Sequence, residues 1–96
     1  MPRFAVTREH GEPWDSSRSL REQDQWDEHA AFMNALVAEG FIVLGGPIGD
    51  GHRVLLIVDA ADEEEIAGRL AEDVWTVSGH LRTTAIERWE ILLAPG

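Results

Sequence analysis

A chain of 96 residues with 44% hydrophobic and 27% charged residues has the composition of one folded domain rather than a disordered segment. Its net charge of −10, set by eighteen acids against eight arginines and no lysine, repels nucleic-acid backbones and anionic membrane surfaces. The absence of cysteine removes disulfides, thiolate catalysis and cysteine-based zinc sites.

Phe4 to Thr7 reads as a short strand with Phe4 and Val6 on one face. From His10 to about Gln23 the chain is polar, with Gly11, Pro13, Asp15, Ser16, Ser17 and Ser19, which is loop composition. Loops of that length in a compact domain are commonly functional. Trp14 within it must pack back onto the body or onto a partner. A helix follows, from Leu20 or Asp24 to Glu39. At about 100° per residue it places Trp26, His29, Ala30, Met33, Leu36 and Val37 on one face. Gly40 suits the left-handed residue that ends it.

Phe41 to Leu44 is an apolar run of the kind found in central strands. The glycine-rich stretch Gly45 to Gly51 reads as a bulge and hairpin turn, and Gly45-Gly46 lets a ligand approach the backbone. It is not a phosphate loop, because a strand follows where a helix is needed and no lysine is present. Arg53 to Val58 is the second strand of the hairpin. Asp62 is placed as the N-cap of a second helix, with Glu65 as its capping-box partner and Glu63 and Glu64 at the positive end of the dipole. Its buried stripe is Ile66, Ala67, Leu70, Ala71 and Val74, and it ends through Glu72-Asp73-Val74-Trp75. Thr83 to Leu93 is the last strand.

Strand, helix, strand, strand, helix, strand is the order of an α+β, ferredoxin-like (βαββαβ) fold. It has an antiparallel sheet with two helices on one face. The apolar residues alternating onto the other face call for a cover, and a homodimer through the sheet faces supplies it. The N-terminal residues carry no apolar leader, and neither Phe41–Leu44 nor Val54–Val58 is long enough to span a bilayer. A cytoplasmic protein with neither nucleic-acid nor membrane partners is expected.

The four histidines, His10, His29, His52 and His80, lack metal-ligand spacing, and no G-x-S-x-G elbow occurs. No metal is expected. His52 and His80 stand beside glycines in turns and read as solvated. His29 is a titratable ring on a core-facing stripe, either a satisfied structural residue or the chemical centre of a pocket. Asp73 is also ambiguous, because a carboxylate is disfavoured at a helix C-terminus. Either it caps a turn over Val74-Trp75-Thr76, or it faces the first helix and pairs with His29. A carboxylate on the imidazole fixes its tautomer and favours the protonated ring, making it a usable general acid or base.

The chain resembles the YciI-like (YCII-related) family over essentially its whole length, residues 1–96, as one domain. The helix segment with His29, the run Gly40-Phe41-Ile42-Val43-Leu44-Gly45-Gly46-Pro47, Asp73-Val74-Trp75 with Gly79, and Trp89-Glu90-Ile91 carry the resemblance. It implies a dimeric α+β barrel and an active site built on His29 and Asp73, with the family's Gly-Pro element at Gly46 and Pro47. Trp26 stands where many members have an arginine, and Val74 where many have proline. Relatives with assigned chemistry act on small aromatic or ring metabolites.

With the resemblance, the sequence favours a cofactor-independent enzyme of elimination or isomerisation type acting on a small-molecule ligand. His29 transfers a proton, Asp73 orients it, and Trp26, Phe32, Met33 and Trp75 wall the pocket. Arg18 or Arg21 binds an acidic or phenolate oxygen. The alternatives are a non-catalytic metabolite-binding or accessory module, and a protein in which His29 is purely structural.

Overall fold

The computed structural model describes residues 1–95. Four strands, β1 (Arg3–His10), β2 (Ile42–Ile48), β3 (Arg53–Asp59) and β4 (Leu81–Arg88), form one sheet in the order β2-β3-β1-β4. Every neighbouring pair is antiparallel. Three helices, α1 (Trp26–Ala38), α2 (Glu63–Leu70) and α3 (Val74–Ser78), connect them. The β1–α1–β2 and β3–α2–β4 connections each step over one strand, which is the ferredoxin-like arrangement.

Alternation along β1 decides which face is covered. Phe4 and Val6 are buried and stand opposite Val58 and Leu56 of β3. With Leu36 of α1 and Ile66 and Leu70 of α2 they form one continuous core, so α1 and α2 lie on the same side of the sheet. The other face carries Ala5, Leu55 and Leu44, the last 61% exposed, together with Arg3, Thr7, Glu9, Arg53 and Asp59, while Ile57 on the same face is buried.

Local chemistry sets the element boundaries. Gly40 ends α1 at φ 81°, the left-handed conformation that glycine adopts without a Cβ penalty. Asp62 caps α2 by accepting from the Glu65 amide at 2.8 Å. The reciprocal arm differs from the expected box, since the Glu65 carboxylate accepts from the Ala61 amide at 2.7 Å rather than from Asp62.

Several expected boundaries shift, the first being β1, which runs past Thr7 to His10 because β3 and β4 keep pairing with it. β2 runs on through Gly45, Gly46 and Pro47 to Ile48, because β3 continues to pair with it as far as Arg53. Pro47 is tolerated there because β2 is an edge strand. β4 begins at Leu81 and stops at Arg88, opposite Phe4, since β1 offers no partner beyond Arg3. Trp89 to Leu93 therefore form no strand, although Trp89 donates to the Arg3 carbonyl at 2.8 Å. Helix α2 stops at Leu70, and Asp73, in extended conformation, opens the separate helix α3. Consequently Val74 leaves the α2 stripe, and Ala67 and Ala71 of that stripe are exposed.

The loop between β1 and α1 is held by one buried amide. Gln23, 3% exposed, donates to the carbonyls of Asp15 at 2.7 Å and Arg18 at 3.1 Å, and accepts from the Asp15 amide at 3.0 Å. A short 3-10 turn, Leu20–Glu22, precedes it. No described helix is long and apolar enough to cross a membrane.

Candidate active site

His29 lies in the first turn of α1, and Asp73 is the residue that opens α3. The imidazole Nδ1 is 2.9 Å from both carboxylate oxygens of Asp73. Because an ionised carboxylate only accepts, Nδ1 carries the proton, which leaves Nε2 of the neutral ring as its lone-pair atom. The Asp73 carboxylate also accepts from the Trp75 amide at 3.1 Å, so it caps α3 and holds the imidazole at once. Both sequence readings of Asp73 are realised in one side chain.

A third partner was not singled out from the sequence. Arg8 of β1 has no exposed surface, and its Nη1 donates to Asp73 Oδ2 at 2.9 Å. Its Nη2 donates to the Thr76 hydroxyl, which in turn donates to the Leu70 carbonyl at 2.7 Å. Arg8 Nε is buried without a hydrogen-bond partner among the described residues. Burial pushes the Asp73 carboxyl up, but the hydrogen bonds from His29 and Arg8 outweigh it and hold the group below its ordinary value. Asp73 is thus an anion that orients the imidazole rather than a competing proton acceptor.

The imidazole is fixed on its faces as well as at Nδ1. Trp75, fully buried, stacks on it at 3.9 Å between ring centroids with 11° between planes. The Trp75 indole N–H donates to the Asp24 carbonyl at 2.7 Å, which locks that ring. Trp26 tilts against both rings, at 5.9 Å from His29 and 5.8 Å from Trp75.

His29 forms part of the wall of a cavity of about 550 Å³, a volume suited to a small organic molecule. Of the residues expected at the site, Trp26, Met33, Gly46, Pro47 and Trp75 also line it. Asp73 stands behind His29, without exposed surface. Arg18, Arg21 and Phe32 do not line the cavity. Arg18 is paired with Asp24 at 3.4 Å on the surface, Arg21 lies over the outer side of Trp26 at 5.7 Å, and Phe32 packs against the core. The arginine among the lining residues is Arg8 instead, with its guanidinium turned to Asp73 and Thr76 behind the wall.

Arg8 and His10 were legible in principle. They continue the alternation of Phe4 and Val6, so a strand running past Thr7 puts both on the helix-covered face. Trp14 packs back onto the body, stacked on His10 at 3.6 Å and edge-on to Trp75 at 5.3 Å. His52 is exposed as expected, but His80 is not. It is 7% exposed, its Nδ1 lies 2.7 Å from the Ser78 hydroxyl, and its ring parallels Trp75 at 5.8 Å. The sharp turn at Gly79 folds the ring inward rather than out to solvent. Among the described residues no group of three or more histidine, aspartate or glutamate side chains is placed to hold a metal ion.

Among solved structures, the chain is similar to 5-chloro-2-hydroxyhydroquinone dehydrochlorinase from Burkholderia phenoliruptrix in complex with 2,5-dihydroxybenzoquinone. The TM-score is 0.66, with 26% sequence identity over 91% of this chain and 93% of that chain. No protein-family model and no curated protein sequence matches. The chain therefore has a ferredoxin-like α+β fold of the kind seen in that YciI-like dehydrochlorinase.

Proposed function

We propose that this protein is a YciI-like enzyme that catalyses cofactor-independent proton transfer in the elimination or isomerisation of a small aromatic or ring metabolite. The observation that carries the reading is the His29–Asp73 pair at 2.9 Å beside a cavity walled by tryptophan. The pairing commits Nδ1 to Asp73 and leaves Nε2 as the proton-transfer atom. Similarity to a dehydrochlorinase supports the reaction class and the ring ligand.

The residues divide the work. Trp26 and Met33 take the faces of a planar ring, Trp75 backs the His29 imidazole from behind, and Gly46 leaves the β2 backbone open beside it. The His29 Nε2 lone pair accepts a proton from the substrate, and the released electron pair forms the new double bond. In an elimination the leaving group departs with its own bonding pair. In an isomerisation Nε2 returns the proton at another atom. The imidazolium formed meanwhile faces the Asp73 anion, which is kept ionised by Arg8 and so stabilises the charge without taking the proton. Placing such a pair well typically contributes about 10²–10⁴-fold to rate.

The outer face of the sheet, where Leu44 and Leu55 lie among polar residues such as Thr7, Glu9 and Arg53, is covered in this reading by a second copy of the same chain, which gives the dimeric α+β barrel of the family. Leu44 and Leu55 are its central contacts.

The test is turnover of candidate ring substrates by wild type and His29→Ala, with circular dichroism as the control for folding. Loss of at least about 100-fold in kcat with the fold retained is expected. Undiminished turnover in the variant refutes the assignment. Ligand retained by the wild type without conversion points to the non-catalytic binding module.

A further inference from the structure

His29 is one end of a continuous line of aromatic rings in stacked and edge-on contact. Trp75 lies on His29, Trp14 meets Trp75 edge-on, His10 stacks on Trp14, and His52 meets His10 edge-on at 5.2 Å. Two tryptophans therefore separate the His29 imidazole from the His10 imidazole along this line. His10, Trp14, Trp75, His52 and His29 all line the same cavity. Its wall carries a titratable ring at each end and indole between.

The His10 ring is held but not hydrogen-bonded. Its backbone amide donates to the His52 carbonyl at 3.1 Å, which ties the end of β1 to the β2–β3 turn. The Asp50 carboxylate accepts from the His52 amide at 2.9 Å and fixes that turn. Among the described residues neither ring nitrogen of His10 has a hydrogen-bond partner. The side chain is half-buried, stacked against an indole and faces a cavity. Such a ring is placed and oriented, yet its polar atoms remain free for a ligand.

We propose that His10, backed by His52, is a second polar pole of the cavity that hydrogen-bonds an oxygen on the edge of the ligand ring remote from His29. The ligand class is then a planar ring carrying oxygens on two separated edges, one at each imidazole, lying in the cavity that both line. Burial, followed by the neighbouring His52, holds the His10 imidazole below its ordinary value against the opposing pull of Asp50. The neutral ring so favoured offers one N–H donor and one lone pair, which suits a hydroxyl or a carbonyl oxygen. This inference rests on the ring-ligand reading proposed above, with His29 at the other pole.

The experiment measures equilibrium binding of two probes, 2,5-dihydroxybenzoquinone and phenol, to wild type, His29→Ala and His10→Phe. Phenylalanine keeps the stack on Trp14 and removes only the ring nitrogens. His10→Leu, read the same way, serves if His10→Phe does not fold. Loss of one hydrogen bond to a charged or strongly polar oxygen corresponds to about a tenfold weakening. The dihydroxyquinone is expected to bind at least about tenfold more weakly to His29→Ala and to His10→Phe. Phenol, with a single oxygen, is expected to lose affinity in His29→Ala alone. Weakened quinone binding in His29→Ala but unchanged binding in His10→Phe overturns the second pole and leaves the proposed function standing. Binding insensitive to both substitutions, or no binding to wild type, overturns both.

Discussion

Replacement of Arg8 by methionine tests the buried network behind the imidazole most directly. The Arg8–Asp73 pair is 2.9 Å long, and both side chains are fully removed from solvent. Truncating one member of such a pair costs about 3–5 kcal/mol, because the remaining charge has no water to turn to. Asp73 keeps two partners in the variant, His29 and the Trp75 amide. Methionine also removes the unpartnered Arg8 Nε and fills most of the same volume. Both effects favour the lower end of the range, about 3 kcal/mol. For a domain of this size 1 kcal/mol moves Tm by about 4–8 °C, so a fall of about 12–24 °C is expected. The assay is urea and thermal unfolding of wild type, Arg8→Met, Asp73→Asn and the double variant at neutral pH. A coupling energy of about 2 kcal/mol is expected between the two positions, within the range for residues of one network. Arg8→Met within about 1 kcal/mol of wild type, or a coupling energy near zero, refutes the reasoning.

Three further outcomes follow from the geometry. The Asp73 carboxyl lies below its ordinary value in the folded protein, so its stabilisation is complete above the unfolded value of about 3.9 and is lost as pH falls through the folded value. Asp73→Asn should therefore flatten the stability curve below about pH 4, measured by urea unfolding, and an unchanged acid slope contradicts the assignment. A Cβ on Gly11 would run into the Gly79 carbonyl oxygen, whereas one on Gly46 meets nothing within 4 Å. Gly11→Ala should cost more than about 2 kcal/mol and Gly46→Ala less than about 0.5 kcal/mol, and equal thermal melts for the two would be incompatible with this packing. Sedimentation velocity at micromolar concentration should show a dimer for wild type and a monomer for Leu44→Glu. A monomeric wild type removes the case for covering the sheet with a second copy.

Much of the fold was written in periodicities. The period-two pattern of Phe4 and Val6, the 3.6-residue stripe through Trp26, Met33 and Leu36, and the cap at Asp62 are local signals, and each produced its element. Glycine at position 40 ended the first helix for the same local reason. Where a boundary depended on a partner strand, the local signal failed. β4 stops at Arg88 despite the alternation continuing to Leu93, because β1 runs out, and β2 passes through two glycines and a proline because β3 keeps pairing.

The candidate site divides along the same line. Sequence determined that His29 would sit on the inward face of a helix and that Asp73 would stand near a helix end, since both follow from spacing along one element. Only the tertiary structure decided their company. Arg8 reaches Asp73 across 65 positions of sequence, and Trp14, His10 and His52 meet around the cavity from a loop, a strand end and a turn. The nearer arginines, Arg18 and Arg21, remain on the loop surface because the loop is folded around Gln23 and points them outward. Spacing along an element fixes the face a side chain occupies. Which charge meets it there is set by the packing of elements far apart in the chain, and no local pattern encodes that meeting.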